Sequence, residues 1–148
     1  MAQYARPSAD TYNSDGYTDQ GGGSTNIYQS IDESSYSDAD YIRSVLTPTS
    51  DVYVCALSSV SDPLSSTGHT VRYRYGKDGA GGDQIDLTIQ LRQGYVDEGT
   101  PGALIATVAT LTNIADGFTA GSYNLSGAEA DAITNYASLF LRFVANKP

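Results

Sequence analysis

The sequence predicts an all-β protein: an antiparallel β-sandwich with one short helix and an extended N-terminal arm. Three observations carry that class. About seven segments alternate apolar and polar residues, the mark of a half-buried strand, and turn residues separate them. The composition agrees, with 12 Tyr and 15 Gly, no Trp, and Lys only at Lys77 and Lys147. The chain has no strand–helix–strand rhythm, which argues against a parallel α/β sheet.

The N-terminal segment is read as an arm over residues 1–26, followed by a body over 27–148. Residues 1–42 hold seven acids with Arg6 as their one base, and Asp19-Gln20-Gly21-Gly22-Gly23-Ser24 disfavours any regular element. Tyr4, Arg6, Pro7, Tyr12 and Tyr17 are spaced like anchors. Pro7 holds its backbone extended, and an extended arm can add to the sheet edge of a neighbouring molecule while its rings fill pockets. Such an arm is mobile until docked, so deleting residues 2–20 is expected to leave a folded body.

The body's elements follow in order. Ile27 and Ile31 are four apart, which fits a helical turn or a lead-in strand. Residues 37–40 form a turn cluster, and residues 41–45 an edge strand ending before Pro48. Residues 52–57 are apolar at nearly every position, as in a strand buried on both faces. A turn-rich loop spans 62–68, and residues 69–75 alternate as a half-buried strand. The glycine-rich run 76–83 reads as a hairpin loop to the next strand. Ile85, Leu87, Ile89 and Leu91 alternate cleanly with polar residues and are expected to share a core with Leu139, Leu141 and Phe143. Residues 97–102 form a loop, and strands follow over 103–111 and 118–125. Ser126 and Glu129 make a capping box that starts a helix through Ile133. A final strand alternates Leu139, Leu141 and Phe143 with Phe140, Arg142 and Val144.

Charge and residue counts bound the function. The net charge is −9 and the pI about 4.2, which disfavours direct nucleic-acid binding, since phosphate needs a concentrated basic surface. One Cys allows no intrachain disulfide, and one Cys with one His excludes a zinc site built on several of both. No apolar run is long enough to span a membrane, and residues 1–7 lack the apolar core of a signal peptide.

Candidate chemistry resolves mostly into structure. Cys55 sits mid-strand as a small hydrophobe, and His69 opens a strand, so no Cys–His nucleophile is expected. Asp38 with Asp40, Asp78 with Asp83, and Asp97 with Glu98 are read as turn residues rather than an acid–base pair. Residues 13–19 resemble a calcium loop but lack the closing Glu. The 76–83 loop lacks the Lys-Ser/Thr ending of a phosphate cradle. Arg72, Arg74, Arg92 and Arg142 are expected to pair with Asp residues across strands, with a small basic patch for an acidic partner as the alternative. No catalytic residue, cofactor or metal is assigned. The Tyr content fits a protein interface, or stacking on sugars, where the absence of Trp counts against it.

Several strings carry a resemblance. They are Arg6-Pro7-x-x-Asp10, Ile31-Asp32-Glu33, Asp38-Ala39-Asp40-Tyr41-Ile42, Asp62-Pro63, Gly68-His69-x-Val71-Arg72-Tyr73-Arg74-Tyr75, Leu125-Ser126-x-x-Glu129-Ala130 and Ile133-Thr134-Asn135-Tyr136-x-x-Leu139-x-Leu141-Arg142-Phe143. Together they span most of the chain, which resembles small structural virion proteins of tailed bacteriophages, of the kind that decorate or cement heads. The resemblance implies a jelly-roll-like sandwich, a non-enzymatic role, and a place in the virion after assembly in the host cytoplasm. It implies the major capsid protein or another virion protein as partner, and a homo-oligomer, with a trimer expected. The alternative is a carbohydrate-binding or adhesion module of a tail or surface structure.

Overall fold

The computed structural model describes residues 1–14, 16–79 and 83–148. Among them the strands are β1 (Pro7–Asn13), β2 (Thr18–Asp19), β3 (Ile42–Arg43), β4 (Asp51–Leu57), β5 (Thr70–Lys77), β6 (Asp86–Gln93), β7 (Ala103–Leu111), β8 (Gly117–Asn124) and β9 (Leu139–Asn146). A 3-10 turn at Ile27–Ser30 and one helix, α1 (Gly127–Asp131), complete the elements. These strands pair antiparallel throughout. The chain is an all-β antiparallel sandwich with one short helix. One layer is a five-stranded sheet in the order β1-β4-β9-β6-β7. Its inner face is covered by the two-stranded β5–β8 ribbon, by α1, and by the segment carrying the 3-10 turn and the β2–β3 pair.

The registers explain the core. Tyr53 lies opposite Phe143 and Cys55 opposite Leu141, while Ile89 also meets Phe143 and Leu91 meets Leu141. Paired residues share a face, so these side chains line one continuous apolar surface. Over β6, β7 and β9 it receives Leu125, Ala130 and Ile133 from around α1, and Val71, Tyr73 and Tyr123 from the ribbon. Over β4 and β9 it receives Tyr17, Ile27, Ile31 and Ile42. The alternate residues Val52 and Val54 point to the outer face, where Tyr12, Tyr95, Phe140 and Val144 pack on them. That double cover is why β4 is apolar on both sides.

Local chemistry sets the details. β7 holds two more residues than its partner needs, Ile105 and Val108, and the register with β6 shifts at both places, so this edge is bulged and twisted. In the ribbon, a side chain at Gly121 would collide with the ring of Tyr73 on the facing strand, so glycine is required there. At α1, Ser126 Oγ accepts from the Glu129 amide and the Glu129 carboxylate accepts from the Ser126 amide, the expected capping box. The helix ends at Asp131, two residues before the Ile133 that the sequence predicts. Residues 27–30 form the 3-10 turn, which settles that segment as helical.

Two expectations are corrected. Residues 1–26 are not an arm lacking partners within the chain. Residues 7–13 form the edge strand β1 on β4, and the pairing extends outward as Ser58 N donates to Arg6 O and Ser61 N to Gln3 Oε1. Tyr17 is 5% exposed and its ring lies 5.7 Å from that of Tyr53. The physical reason is the open side of β4, whose backbone groups need partners. The second correction concerns the glycine-rich run. Its Ala80, Gly81 and Gly82 lie outside the described residues, but the strands flanking it do not form a hairpin. β5 crosses to the other layer and pairs with β8, while β6 pairs with β7 and β9.

Two predictions follow from this packing. Ile89 is 2% exposed at the centre of the core, so Ile89→Ala should cost about 2–5 kcal/mol in chemical denaturation. Deleting residues 2–20 removes β1, Asp10 and Tyr17, so in parallel thermal melts the truncated chain should show no cooperative transition where the full chain should.

Candidate functional site

The anchors expected in the N-terminal segment do not converge. Tyr4 is exposed, with the Arg6 guanidinium 5.7 Å from its ring centre. Pro7 opens β1. Tyr12 packs on the outer face beside Val52 and Val54, whereas Tyr17 is buried on the inner side against Tyr53. Tyr12 and Tyr17 therefore brace opposite faces of the sheet.

A different cluster gathers on the outside of the ribbon. Strand alternation sends Val71 and Tyr73 into the core and leaves Arg72 and Arg74 on the outer face. Arg74 binds Asp38 through two parallel bonds, Nε to Oδ1 and Nη2 to Oδ2, the latter 2.7 Å. That fork-to-fork geometry fixes the guanidinium in plane and position, and it holds the Asp38 carboxyl below the usual carboxylate range. The guanidinium sits 4.2 Å from the ring centre of Tyr36 and 5.7 Å from that of Phe118. Tyr41 packs on Phe118 with ring centres 5.6 Å apart. Phe118 stands opposite Gly76, where a side chain would collide with the Gly117 carbonyl. Tyr36 is 69% exposed and Phe118 41%. Two large rings are thus held open to solvent around a pinned cation.

Arg72 and Arg74 are visible in the sequence as a possible basic patch, and Asp38 as part of a turn cluster. Their union is not, because Asp38 and Arg74 lie far apart in the chain. Tyr36, Tyr41 and Phe118 carry no local signal of a shared site.

Cys55 and His69 do not meet. Cys55 is fully buried in the core, and burial pushes its thiol up to about 12. His69 Nε2 shares a 2.7 Å hydrogen bond with Tyr136 Oη. In the 13–19 segment the Asn13 side chain brackets the backbone of Tyr17, accepting from its amide and donating to its carbonyl. Asp19 caps Gly23 N at 2.8 Å, and Asp15 lies outside the described residues. Among the described residues no three Asp, Glu, His or Cys side chains are placed to share a metal ion, and no helix is long and apolar enough to cross a membrane.

On the outer face of the five-stranded sheet, the loop after β6 is strapped down by charge. Arg142 Nε donates to Glu98 Oε1 at 3.0 Å, Tyr95 Oη donates to the same oxygen at 2.9 Å, and Nη2 of Arg142 meets Oε2. Arg92 reaches the carbonyls of Pro101 and Gly102 and the side chain of Gln90. Arg74 and Arg142 pair with acids, but with the turn residues Asp38 and Glu98 rather than across strands, whereas Arg92 bonds to neutral oxygens and Arg72 has no acidic partner among the described residues. The bond from Arg142 holds Glu98 below the ordinary Glu range, with Tyr95 adding to it.

A carboxyl lowered on folding stabilises the fold above its unfolded pKa, and that stability is lost as pH falls through the lower folded value. Glu98→Gln should therefore lower the melting temperature at neutral pH, and the gap to the parent should close as pH drops below the ordinary Glu range. Parallel melts across an acid series measure this.

No family model, curated protein or solved structure matches the chain.

Proposed function

We propose that the chain is a non-enzymatic structural protein of a tailed-phage virion, a head-decoration or cement protein that binds the major capsid protein or another virion protein by surface burial. The observation that carries this reading is the cluster of Tyr36, Arg74 and Phe118, pinned by Asp38 and left open to solvent. Tyr and Arg are the residues in which binding energy concentrates at interfaces. An arginine already locked by its carboxylate loses little side-chain freedom on docking, so more of the contact energy is realised. Cys55 is buried in the core and Glu98 is held by Arg142 and Tyr95. A carbohydrate-binding module would need free ring faces for stacking, and the guanidinium of Arg74 already occupies one face of Tyr36.

The test is binding to phage heads that lack the protein. Tyr36→Ala and Arg74→Ala should each weaken binding about 30-fold, the equivalent of a ~2 kcal/mol hot-spot truncation, and Tyr36→Ala, which breaks no bond between elements, should do so with little change in melting temperature. Unchanged binding by both variants rejects this surface, and absence of the chain from purified particles rejects the virion role.

A further inference from the structure

Two layers leave free strand edges, and among the described residues most are guarded. β1 carries Pro7 and two register shifts against β4. β7 is bulged twice, and α1 lies against it. β5 carries Arg72, Arg74 and Lys77. Charge, proline and bulges are the devices by which sheets prevent edge-to-edge pairing.

β8 has none of them. Gly117–Asn124 holds no charged residue and no proline, and its register with β5 runs unbroken over all eight pairs. Residues 117–120 are exposed without interruption. Apart from the ladder to β5, none of its backbone groups bonds to another segment of the described residues. It is an open, regular, neutral template.

We propose that β8 pairs antiparallel with β8 of a second copy of this chain, giving a two-fold dimer with a continuous four-stranded ribbon in the order β5-β8-β8-β5. The proposal rests on the reading of the ribbon as an assembly surface. A two-fold axis perpendicular to the ribbon sets the strand against itself and keeps both core-facing sides on the same side, as an isologous contact requires.

Charge selects a second copy at this edge. At −9 overall, two chains repel over most of their surface. On the ribbon, Arg74 is neutralised by Asp38, and Lys77 lies 3.7 Å from Asp116. Self-pairing of β8 therefore sets no like charges opposite one another, which would be destabilising. Ala120 and Gly121 at its middle let the strands approach. Because the far edge of the ribbon is β5, where Arg72, Arg74 and Lys77 guard against strand pairing, assembly stops at two chains. One eight-residue strand buries less than the ~1,200 Å² of a standard stable interface, so the dimer depends on concentration, and Phe118 adds to the contact.

Sedimentation of the full chain over a wide concentration range should show its 15.6 kDa mass doubling as concentration rises. Ala120→Lys sets two ammonium groups across the axis and should shift dimerisation at least ~10-fold higher in concentration, with the melting of the dilute chain unchanged. Thr110→Lys, exposed on β7, should leave the dimer intact. Ala120→Cys should form a covalent dimer on mild oxidation, whereas the buried Cys55 of the parent should not. A single mass at every concentration, a trimer indifferent to Ala120→Lys, or failure of Ala120→Cys to cross-link overturns the pairing. If the dimer is absent while Tyr36→Ala and Arg74→Ala still weaken head binding, self-pairing falls and the virion reading stands. If the dimer is present while those variants bind heads normally, the reverse holds.

Discussion

One carboxylate ties the first strand, the sheet and the covering segment together. Asp10, on β1, accepts from Tyr53 Oη at 2.7 Å, from Ile27 N at 3.0 Å and from Tyr28 N at 2.9 Å. Each donor needs it. Tyr53 is fully buried, and a buried phenol without a partner is costly. Ile27 and Tyr28 open the 3-10 turn, where the amides have no partner inside the turn. Asn26 precedes them in the left-handed region and gives no side-chain cap. Asp10 supplies the missing cap from another element. The same bonds close the segment over the inner face of β1, β4 and β9, where Ile27 and Tyr17 seal Cys55 and Ala145 from water. Burial, with Cys55 and Asp10 adding to it, pushes the Tyr53 phenol far above its ordinary range, in keeping with its role as a donor to Asp10.

This constraint explains why the first strand was hard to read. Its residues, Pro-Ser-Ala-Asp-Thr-Tyr-Asn, lack the apolar alternation of an inner strand because β1 is an edge with two register shifts. Its one inward residue of consequence is charged, and the sequence alone does not show that Asp10 meets three donors from distant segments. Strands whose signal is local were legible. Leu87, Ile89 and Leu91 in β6, and Leu139, Leu141 and Phe143 in β9, face one another across the β6–β9 pair as their alternation requires. The capping box at Ser126 needs four residues only, and it formed. The partner of β5 was misread for the opposite reason. A glycine-rich loop favours a hairpin with β6, but β6 is held between β7 and β9. Non-local pairing of this kind leaves no mark on local pattern.

Charge follows the same division between what a short stretch shows and what the fold assembles. The chain carries an excess of acids, yet several are placed where they hold two elements together. Asp10 joins β1 to the 3-10 turn, Glu98 joins the loop after β6 to β9 through Arg142, and Asp38 joins the 36–41 segment to β5 through Arg74. In each case a polar group spans a join where few apolar residues are available. A small sandwich whose second layer has two strands gains less from apolar burial than one with two full sheets, and directed bonds at the joins compensate.

The thin second layer also decides where an assembly surface can lie. The inner face of the ribbon is committed to the core through Val71, Tyr73 and Tyr123. Among the described residues its outer face is covered by nothing heavier than the 36–41 segment, which leaves Tyr36 and Phe118 open. On the five-stranded sheet, by contrast, the outer face is partly capped by Tyr12, Tyr95 and the charged strap of Arg142 and Glu98. Large exposed rings are an aggregation hazard unless they are held apart from other apolar surface or used for binding. Here the ring of Tyr36 is fixed against a guanidinium that is itself fixed by a carboxylate. A geometry so constrained serves no packing need of the core, which is complete beneath it. It suits the partner recognition proposed for this surface, and the neutral strand β8 carries the same Phe118.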